Sequence, residues 1–541
     1  MSKSGKYSLT FDPRDWLALE NDLYDPVEEK LHSARRKASV SWARWNPFSM
    51  RGLGNVASLS VLVGSLVGLF VGYPVITAIN QRTLSTLGGF NLGGVNGTGQ
   101  IPTMFGNYGL IDKDTPREAF TKASWNDRAI EMQLVFSDEF NRNGRTFYPG
   151  DDPYWEAADL HYWSTGNLEW YDPGAITTRD GSLVITLQEK NTHGLNYEGG
   201  LLSTWNKFCF TGGYIEVSVL LPGSNDVLGL WPAIWAMGNL GRAGYGATLE
   251  GVWPYTYDSC DVGTVANQSI NGQPIAAIES GDAGHGGSLS YLPGQRLSRC
   301  TCPGEDHPGP KHTDGTFVGR SAPEIDLFEA EIDSDTLVAG VSQSAQWAPF
   351  DDHYEWASTA DNLIIENPEI STLNTFVGGA EQQSTSVITR TNTRCYENDG
   401  GCYSVYGFEY NPGFDDAYIT WVANDAPSWT LRAPGVGANP RVQISARPVP
   451  QEPMHLIMNL GMSRSFGPVD LAHLPFPAQM KVDYIRVYQP THSINVGCDP
   501  KDFPTKAYID KHIEAYTNPN FTTWVDDFRQ PWPRNSLVDQ C

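Results

Sequence analysis

The chain is poor in positive charge. Its 37 Lys and Arg stand against 62 Asp and Glu, a formal net charge of −25 over 541 residues. Phosphate backbones are held by basic surfaces, so nucleic acid is excluded as a partner. No two cysteines have the C-x₂-C spacing of common zinc sites. No Gly-rich phosphate loop sits in a strand–helix alternation, which counts against a nucleotide-binding fold. Long helical periodicities are few, and cysteine is absent from the first 208 residues. What is abundant is turn-forming sequence. Gly 54 and Pro 36 together make up about a sixth of the chain, above the ~12% of an average protein. That surplus favours β structure over helix.

One long apolar run is present. Thirty uncharged residues lie between Arg51 and Arg82, with their apolar centre at Val56 to Ile79. Those positions at a rise of ~1.5 Å reach about 36 Å, enough for a hydrocarbon core of about 30 Å. Fifty-one residues precede the run, too many for an ordinary cleaved signal peptide, so residues 52–81 read as an uncleaved signal-anchor. Arg35, Arg36, Lys37, Arg44 and Arg51 crowd its N-terminal side, against Arg82 close on the other. The positive-inside rule then places residues 1–51 in the cytosol, as a disordered tail, and the rest in the lumen or outside. The tail carries a net charge of +2 and the remainder −27. This is a type II, single-pass arrangement in the secretory pathway, with the lipid bilayer as a partner.

The cysteines agree with that orientation. All eight follow the span, and an even count on one side suits disulfides in an oxidising compartment. Cys395 and Cys402 bracket Asn-Asp-Gly-Gly and form the easiest local bridge, while Cys498 and Cys541 are placed to staple the C-terminal tail. Three glycosylation sequons, at Asn96, Asn267 and Asn520, also follow the span.

Residues 82–115 read as a Gly-rich linker. From residue 116 the pattern is β. Ser182–Leu187 follows the turn Arg179-Asp180-Gly181, and Tyr214–Leu220 and Lys481–Tyr488 alternate apolar with polar. Leu456–Leu460 is a further apolar strand. Short strands between turn signals indicate an all-β sandwich or jelly roll over 116–490. Residues 240–322 and 350–402 read as long inserted loops. Residues 491–541 form a cysteine-bearing extension, with a short helix expected near Tyr508 to Tyr516.

Glu324-Ile-Asp326-Leu-Phe-Glu329 carries the candidate chemistry. On a strand, Glu324 and Asp326 share one face, and Glu329 would fall on the other. One extra residue, a bulge around Leu327-Phe328, returns Glu329 to the carboxylate face. Three carboxylates on one face raise one another's pKa. A retaining glycosidase needs an ionised nucleophile and a protonated acid about 5–5.5 Å apart. The competing reading is a solvated acidic strand. Asp333-Ser-Asp335 offers another alternative, the D-x-D of a metal-dependent glycosyltransferase. Trp231 and Trp235, four apart, lie on one face of a strand, where sugar rings stack or a core is filled. His353 and His455 lack metal-ligand spacing. No cofactor and no metal follow from these residues.

Together these segments resemble glycoside hydrolase family 16. The likeness rests on Asp180–Thr186, Gly213–Val217, Leu230–Trp235, Glu324–Glu329 and Met480–Gln489, in that order. The tail, anchor and Ser321-Ala-Pro-Glu-Ile-Asp-Leu-Phe-Glu329 resemble the fungal β-1,6-glucan synthesis-associated proteins, type II relatives of that family. The resemblance implies a concanavalin-like jelly roll and a retaining β-glucan glycosidase or transglycosylase of the cell wall. It implies Glu324 as nucleophile, Glu329 as acid/base and Asp326 as the residue that orients and tunes them. Trp231 and Trp235 would line the sugar cleft. A non-catalytic glucan-binding assembly factor would keep the same fold. In secreted β-glucanases the Trp-Pro-Ala-x-Trp segment lies close to the carboxylate motif, whereas here 88 residues separate Trp235 from Glu324. An insertion of that size can reshape or cover the cleft.

Overall fold

A computed structural model describes residues 50–73 and 109–541. The chain divides into two units, Met1–Thr83 and Leu84–Cys541. In the first, helix α1 (Met50–Val67) runs on as a π-helical turn over Gly68–Gly72. Leu53–Gly72 has a mean hydropathy of 1.9 and none of it is buried. Twenty residues at ~1.5 Å reach about 30 Å, so this helix is long and apolar enough to cross a membrane. Residues 1–49, the end of the apolar run at Pro74–Ile79, most of the expected linker and the Asn96 sequon lie outside the described residues.

The second unit is a β-sandwich. Its main strands are β1 (Glu131–Asp138), β2 (Ile176–Arg179), β3 (Ser182–Thr192), β4 (Leu195–Ser203), β5 (Gly213–Leu220), β6 (Trp231–Gly238) and β7 (Glu324–Ile332). They continue as β8 (Ala339–Trp347), β9 (Gln382–Arg390), β10 (Ser404–Asn411), β11 (Tyr418–Ala423), β12 (Ala426–Arg432), β13 (Met454–Gly461) and β14 (Ala478–Pro490). One antiparallel sheet runs β4-β13-β6-β7-β8-β9. The other runs β3-β14-β5-β10-β11-β12, with β1 beside the C-terminal half of β14. The four strands expected from alternation and turn signals lie within β3, β5, β13 and β14. The turn at Asp180 and Gly181 takes positive φ at both residues, 53° and 80°, and closes the β2–β3 hairpin.

The two sheets share one core. Ile215, Val217 and Val219 of β5 face Ile325, Leu327 and Phe328 of β7 through a cluster that also holds Ile185, Phe408 and Trp421. Each such side chain fully removed from water contributes roughly 1.5–3 kcal/mol. The other face of β5 is buried too, because Trp125, Ile111, Met132 and Leu134 pack over Tyr214 and Tyr488. Glu216 on that face is paired with Lys122 and accepts a hydrogen bond from the Tyr488 hydroxyl.

Two expectations are corrected. The segment 350–402 is not all loop, since β9 pairs with β8 along its whole length. Its Gln-Gln-Ser-Thr-Ser start is polar because Gln382 and Ser384 turn to a polar cleft and Gln383 and Thr385, on the buried face, bond Tyr354, Arg447 and Trp347. Nor does Cys498 pair with Cys541. The bridges are Cys209–Cys498, Cys260–Cys300, Cys302–Cys541 and Cys395–Cys402. Only the last was the expected local pair. The C-terminal extension packs on itself through Tyr508, His512, Trp524 and Phe528, but both of its cysteines bridge outward. It lies across the 239–323 insertion through α2 (Lys506–Lys511) and α3 (Ile513–Thr517), two short helices that together cover the Tyr508–Tyr516 segment expected as one. Tyr508, Ile509, Tyr516 and Trp524 pack with Leu240, Ala247 and Leu297. Buried Arg320 bonds Glu452 bidentately and also donates to the carbonyls of Gly309 and Pro504. Insertion, sandwich and extension are thereby tied together.

Candidate active site

Strand β7 carries the bulge that its spacing requires. On one side Trp235 pairs with Asp326 and Ile234 with Phe328, leaving Leu327 as the extra residue. On the other, Asp326 pairs with Ser344 and Glu329 with Ser342, so Gln343 alone opposes Leu327 and Phe328. Glu324, Asp326 and Glu329 therefore all point into one cleft, while Ile325, Leu327 and Phe328 enter the core. A bulge interrupts the ladder and leaves carbonyls to satisfy. Two buried side chains from the core do so. Trp421 Nε1 donates to the Asp326 carbonyl at 2.8 Å, and Gln343 Nε2 donates to the Leu327 carbonyl at 2.9 Å.

The cleft has a volume of about 820 Å³. Its floor comes from the same alternation on neighbouring strands. Trp231, Ala233, Trp235 and Met237 come from β6, Ser342, Ser344 and Gln346 from β8, Ser384 from β9 and Asn459 from β13. Trp231 and Trp235 do lie on one face. Trp231 is half-buried, stacks on Phe466 with centroids 4.4 Å apart, and donates Nε1 to Glu329 Oε1 at 3.0 Å. Trp235 is buried, with Nε1 donating to Asn459 Oδ1 at 2.8 Å.

Each carboxyl has its own partners. Trp253 Nε1 donates to Glu324 Oε2 at 2.6 Å. Ser344 Oγ and Gln346 Nε2 donate to Asp326 Oδ2 at 2.7 and 3.1 Å. Glu324 and Asp326 also share a hydrogen bond. Burial, then the charges of Asp326 and Glu329, push Glu324 well above the usual carboxylate range. Burial pushes Asp326 up to about 6, held back by Ser344 and Gln346. Burial and then Asp326 push Glu329 up to about 8. At neutral pH Glu329 therefore keeps its proton, and the hydrogen bond between Glu324 and Asp326 needs a proton of its own, because two ionised carboxylates can only accept.

Several lining residues had no sequence signal. Tyr162, Trp163, Phe376 and Phe466 come from loops between strands, and Trp253, Asp282 and His285 from the insertion. The 88 residues between Trp235 and Glu324 form a wall of the cleft. The D-x-D pair is elsewhere. Asp333 Oδ1 accepts from the main-chain N–H of Asp335 and of Thr336, so it shapes the exposed β7–β8 turn. Among the described residues, Asp159, Asp172 and His193 bring ligand atoms within 4.8 Å of one another, outside the residues that line the cleft. Asn267 and Asn520 are both exposed.

Residues 16–541 match the family model described as Beta-glucan synthesis-associated protein SKN1/KRE6/Sbg1. The chain belongs to this beta-glucan synthesis-associated family. It is 45% identical over 434 residues to the Beta-glucan synthesis-associated protein KRE6 of Saccharomyces cerevisiae, covering 80% of this chain and 56% of that one. It is 45% identical over 431 residues to the Beta-glucan synthesis-associated protein SKN1 of Candida albicans, covering 79% and 54%. The chain thus spans about half the length of the curated relatives it matches. Among solved structures it is similar to the endo-beta-1,3-glucanase of Pyrococcus furiosus. That match is 16% identical, covers 71% of this chain and 100% of that one, and has a TM-score of 0.38.

Proposed function

We propose that this SKN1/KRE6/Sbg1-family chain is a membrane-anchored, retaining β-glucan glycosidase or transglycosylase of cell-wall glucan synthesis. One observation carries the reading. A bulge at Leu327 turns three carboxyls, Asp326 buried and Glu324 and Glu329 half-buried, into a single cleft lined by indoles. In the first step Glu324 attacks the anomeric carbon of a β-glucan donor and forms a glycosyl ester. The glycosidic C–O bond breaks as Glu329 gives its proton to the departing oxygen. Asp326 takes over the proton it shares with Glu324, leaving Glu324 ionised for attack. In the second step an acceptor hydroxyl attacks the anomeric carbon, passes its proton to Glu329 and releases Glu324. Water as acceptor gives hydrolysis, and a sugar hydroxyl gives transfer. Half-buried Trp231 and the small exposed part of Trp235 line the floor against which sugar rings would lie.

Leu53–Gly72 would anchor the chain, with the acidic sandwich on the lumenal or outer side. The test is to incubate the full chain in detergent with defined β-1,3- and β-1,6-linked gluco-oligosaccharides and to weigh the products. Longer products that disappear in Glu324→Gln are expected. Shorter products alone would assign hydrolysis. Unchanged oligosaccharides that still bind would assign an assembly factor. Turnover that demands a nucleotide sugar and a metal would assign a glycosyltransferase.

A further inference from the structure

We propose that Trp253, supplied by the 239–323 insertion, is a positioning residue that holds Glu324 by Oε2 and leaves Oε1 as the atom that attacks. This rests on the retaining reading above and assigns the insertion a part in that reaction. Each catalytic glutamate carries one indole donor. Trp231 on the sheet serves Glu329, and Trp253 from outside the sheet serves Glu324. The two oxygens of a carboxylate are equivalent until something distinguishes them. A 2.6 Å bond from an indole, which can only donate, distinguishes Oε2.

The consequences follow through both steps. When Oε1 bonds the anomeric carbon, Oε2 becomes the ester carbonyl oxygen and keeps its donor. When the Oε1–carbon bond breaks, negative charge returns to a carboxylate that already holds an N–H. The donor therefore favours departure of Glu324, and so release of the sugar to an acceptor.

Trp253 is held in place from several sides. It packs against the cluster that contains Leu240, Ala247, Leu297 and Trp524. Its main-chain N–H donates to the Thr248 carbonyl at 2.9 Å. The insertion is bridged internally by Cys260–Cys300 and to the C-terminus by Cys302–Cys541. Such support fixes a donor closely enough to select one oxygen.

Asp326 and Glu329 from its own strand and Tyr162 from another loop act on Glu324, and Tyr245, Asp282, His285, Glu331 and Glu381 line the same cleft. Among the described residues, Trp253 is the indole that bonds Glu324, while Trp231 bonds Glu329 and Trp235 bonds Asn459. Loss of the Trp253 N–H would therefore raise the affinity of Glu324 for a proton.

The test replaces Trp253 in the full chain with benzothienylalanine, which puts sulfur in place of the N–H and keeps the ring; Trp253→Phe is the second variant. Two readouts are taken. The first is the infrared C=O band of protonated Glu324, assigned by its loss in Glu324→Gln. Its midpoint is expected to rise by about one pH unit, as for loss of a charge-assisted bond. The second is turnover, expected to fall about tenfold in kcat with KM little changed, the acidic limb moving up by the same unit. An unmoved midpoint overturns the proposal whether or not the chain turns over glucan, and marks Trp253 as wall packing only. A shifted midpoint in a chain whose wild type turns over no glucan overturns the retaining reading and the attack role with it. A shifted midpoint together with a shifted limb supports both.

Discussion

The indole of Trp421, on β11 of the sheet that faces β7, donates its N–H across the sandwich to the main-chain oxygen of Asp326 at 2.8 Å. The bulge that gathers the three carboxyls is thus secured from the far side of the core. Trp421 also lies flat on Trp429, with ring centroids 4.0 Å apart.

Removing that donor should loosen the bulge. Trp421→Phe keeps an aromatic ring and leaves the Asp326 carbonyl without a partner. An unsatisfied buried acceptor costs about 1–3 kcal/mol. Chemical denaturation should show a loss of that size. Gln343→Leu should cost more, because Gln343 Nε2 serves the carbonyls of both Leu327 and Val422.

The carboxyl cluster sets a pH dependence of stability. Glu329 has a folded pKa of about 8 against an ordinary 4.5. A raised folded pKa means the folded form binds the proton more tightly. The stabilisation is complete below the ordinary value and is lost as pH rises through the folded one. The melting temperature should therefore fall between about pH 5 and pH 8. Glu329→Gln, which cannot ionise, should flatten that fall and be the more stable form at the upper end. Thermal unfolding of both proteins at the two pH values checks this.

Activity should follow a bell-shaped profile. The acidic limb reflects loss of one proton from the Glu324–Asp326 pair, and the basic limb reflects loss of the Glu329 proton. With Asp326 at about 6 and Glu329 at about 8, the optimum should lie near neutrality. Glu329→Gln should remove the basic limb along with most of kcat for donors with poor leaving groups.

The C-terminal staple should matter for the cleft. Cys302–Cys541 closes a separation of 239 residues and Cys209–Cys498 one of 289. Loss of a native bridge typically costs about 2–5 kcal/mol. Cys302→Ser combined with Cys541→Ser should lower the melting temperature and expose the extension after Trp524 to limited proteolysis.

Much of the sandwich was legible because strand faces are written in a period of two. Ile215, Val217 and Val219 announce a buried face, and Asp180-Gly181 a tight turn. The bulge was legible for the same reason, since Glu329 could join Glu324 and Asp326 only through one extra residue. Strand β9 was hidden because Gln382 and Ser384 face the cleft while Gln383 and Thr385, on the other face, bond buried Tyr354, Arg447 and Trp347, so both faces look like loop sequence. Trp253 was hidden because nothing local relates it to Glu324, 71 residues away in the chain. Only the path of the insertion brings them together. The Cys498–Cys541 expectation failed on the same ground, for proximity in sequence says little about a segment that crosses the surface of the molecule.

The central claim is that Glu324 becomes covalently bonded to glucan. The most direct measurement treats the full chain with a 2-deoxy-2-fluoro β-gluco-oligosaccharyl fluoride, which forms the ester quickly and breaks it slowly. Peptide mass spectrometry then locates the adduct. The account requires one glycosyl unit on the peptide that contains Glu324, fragmenting to that residue and absent in Glu324→Gln. No adduct, or an adduct on another carboxylate, would contradict it.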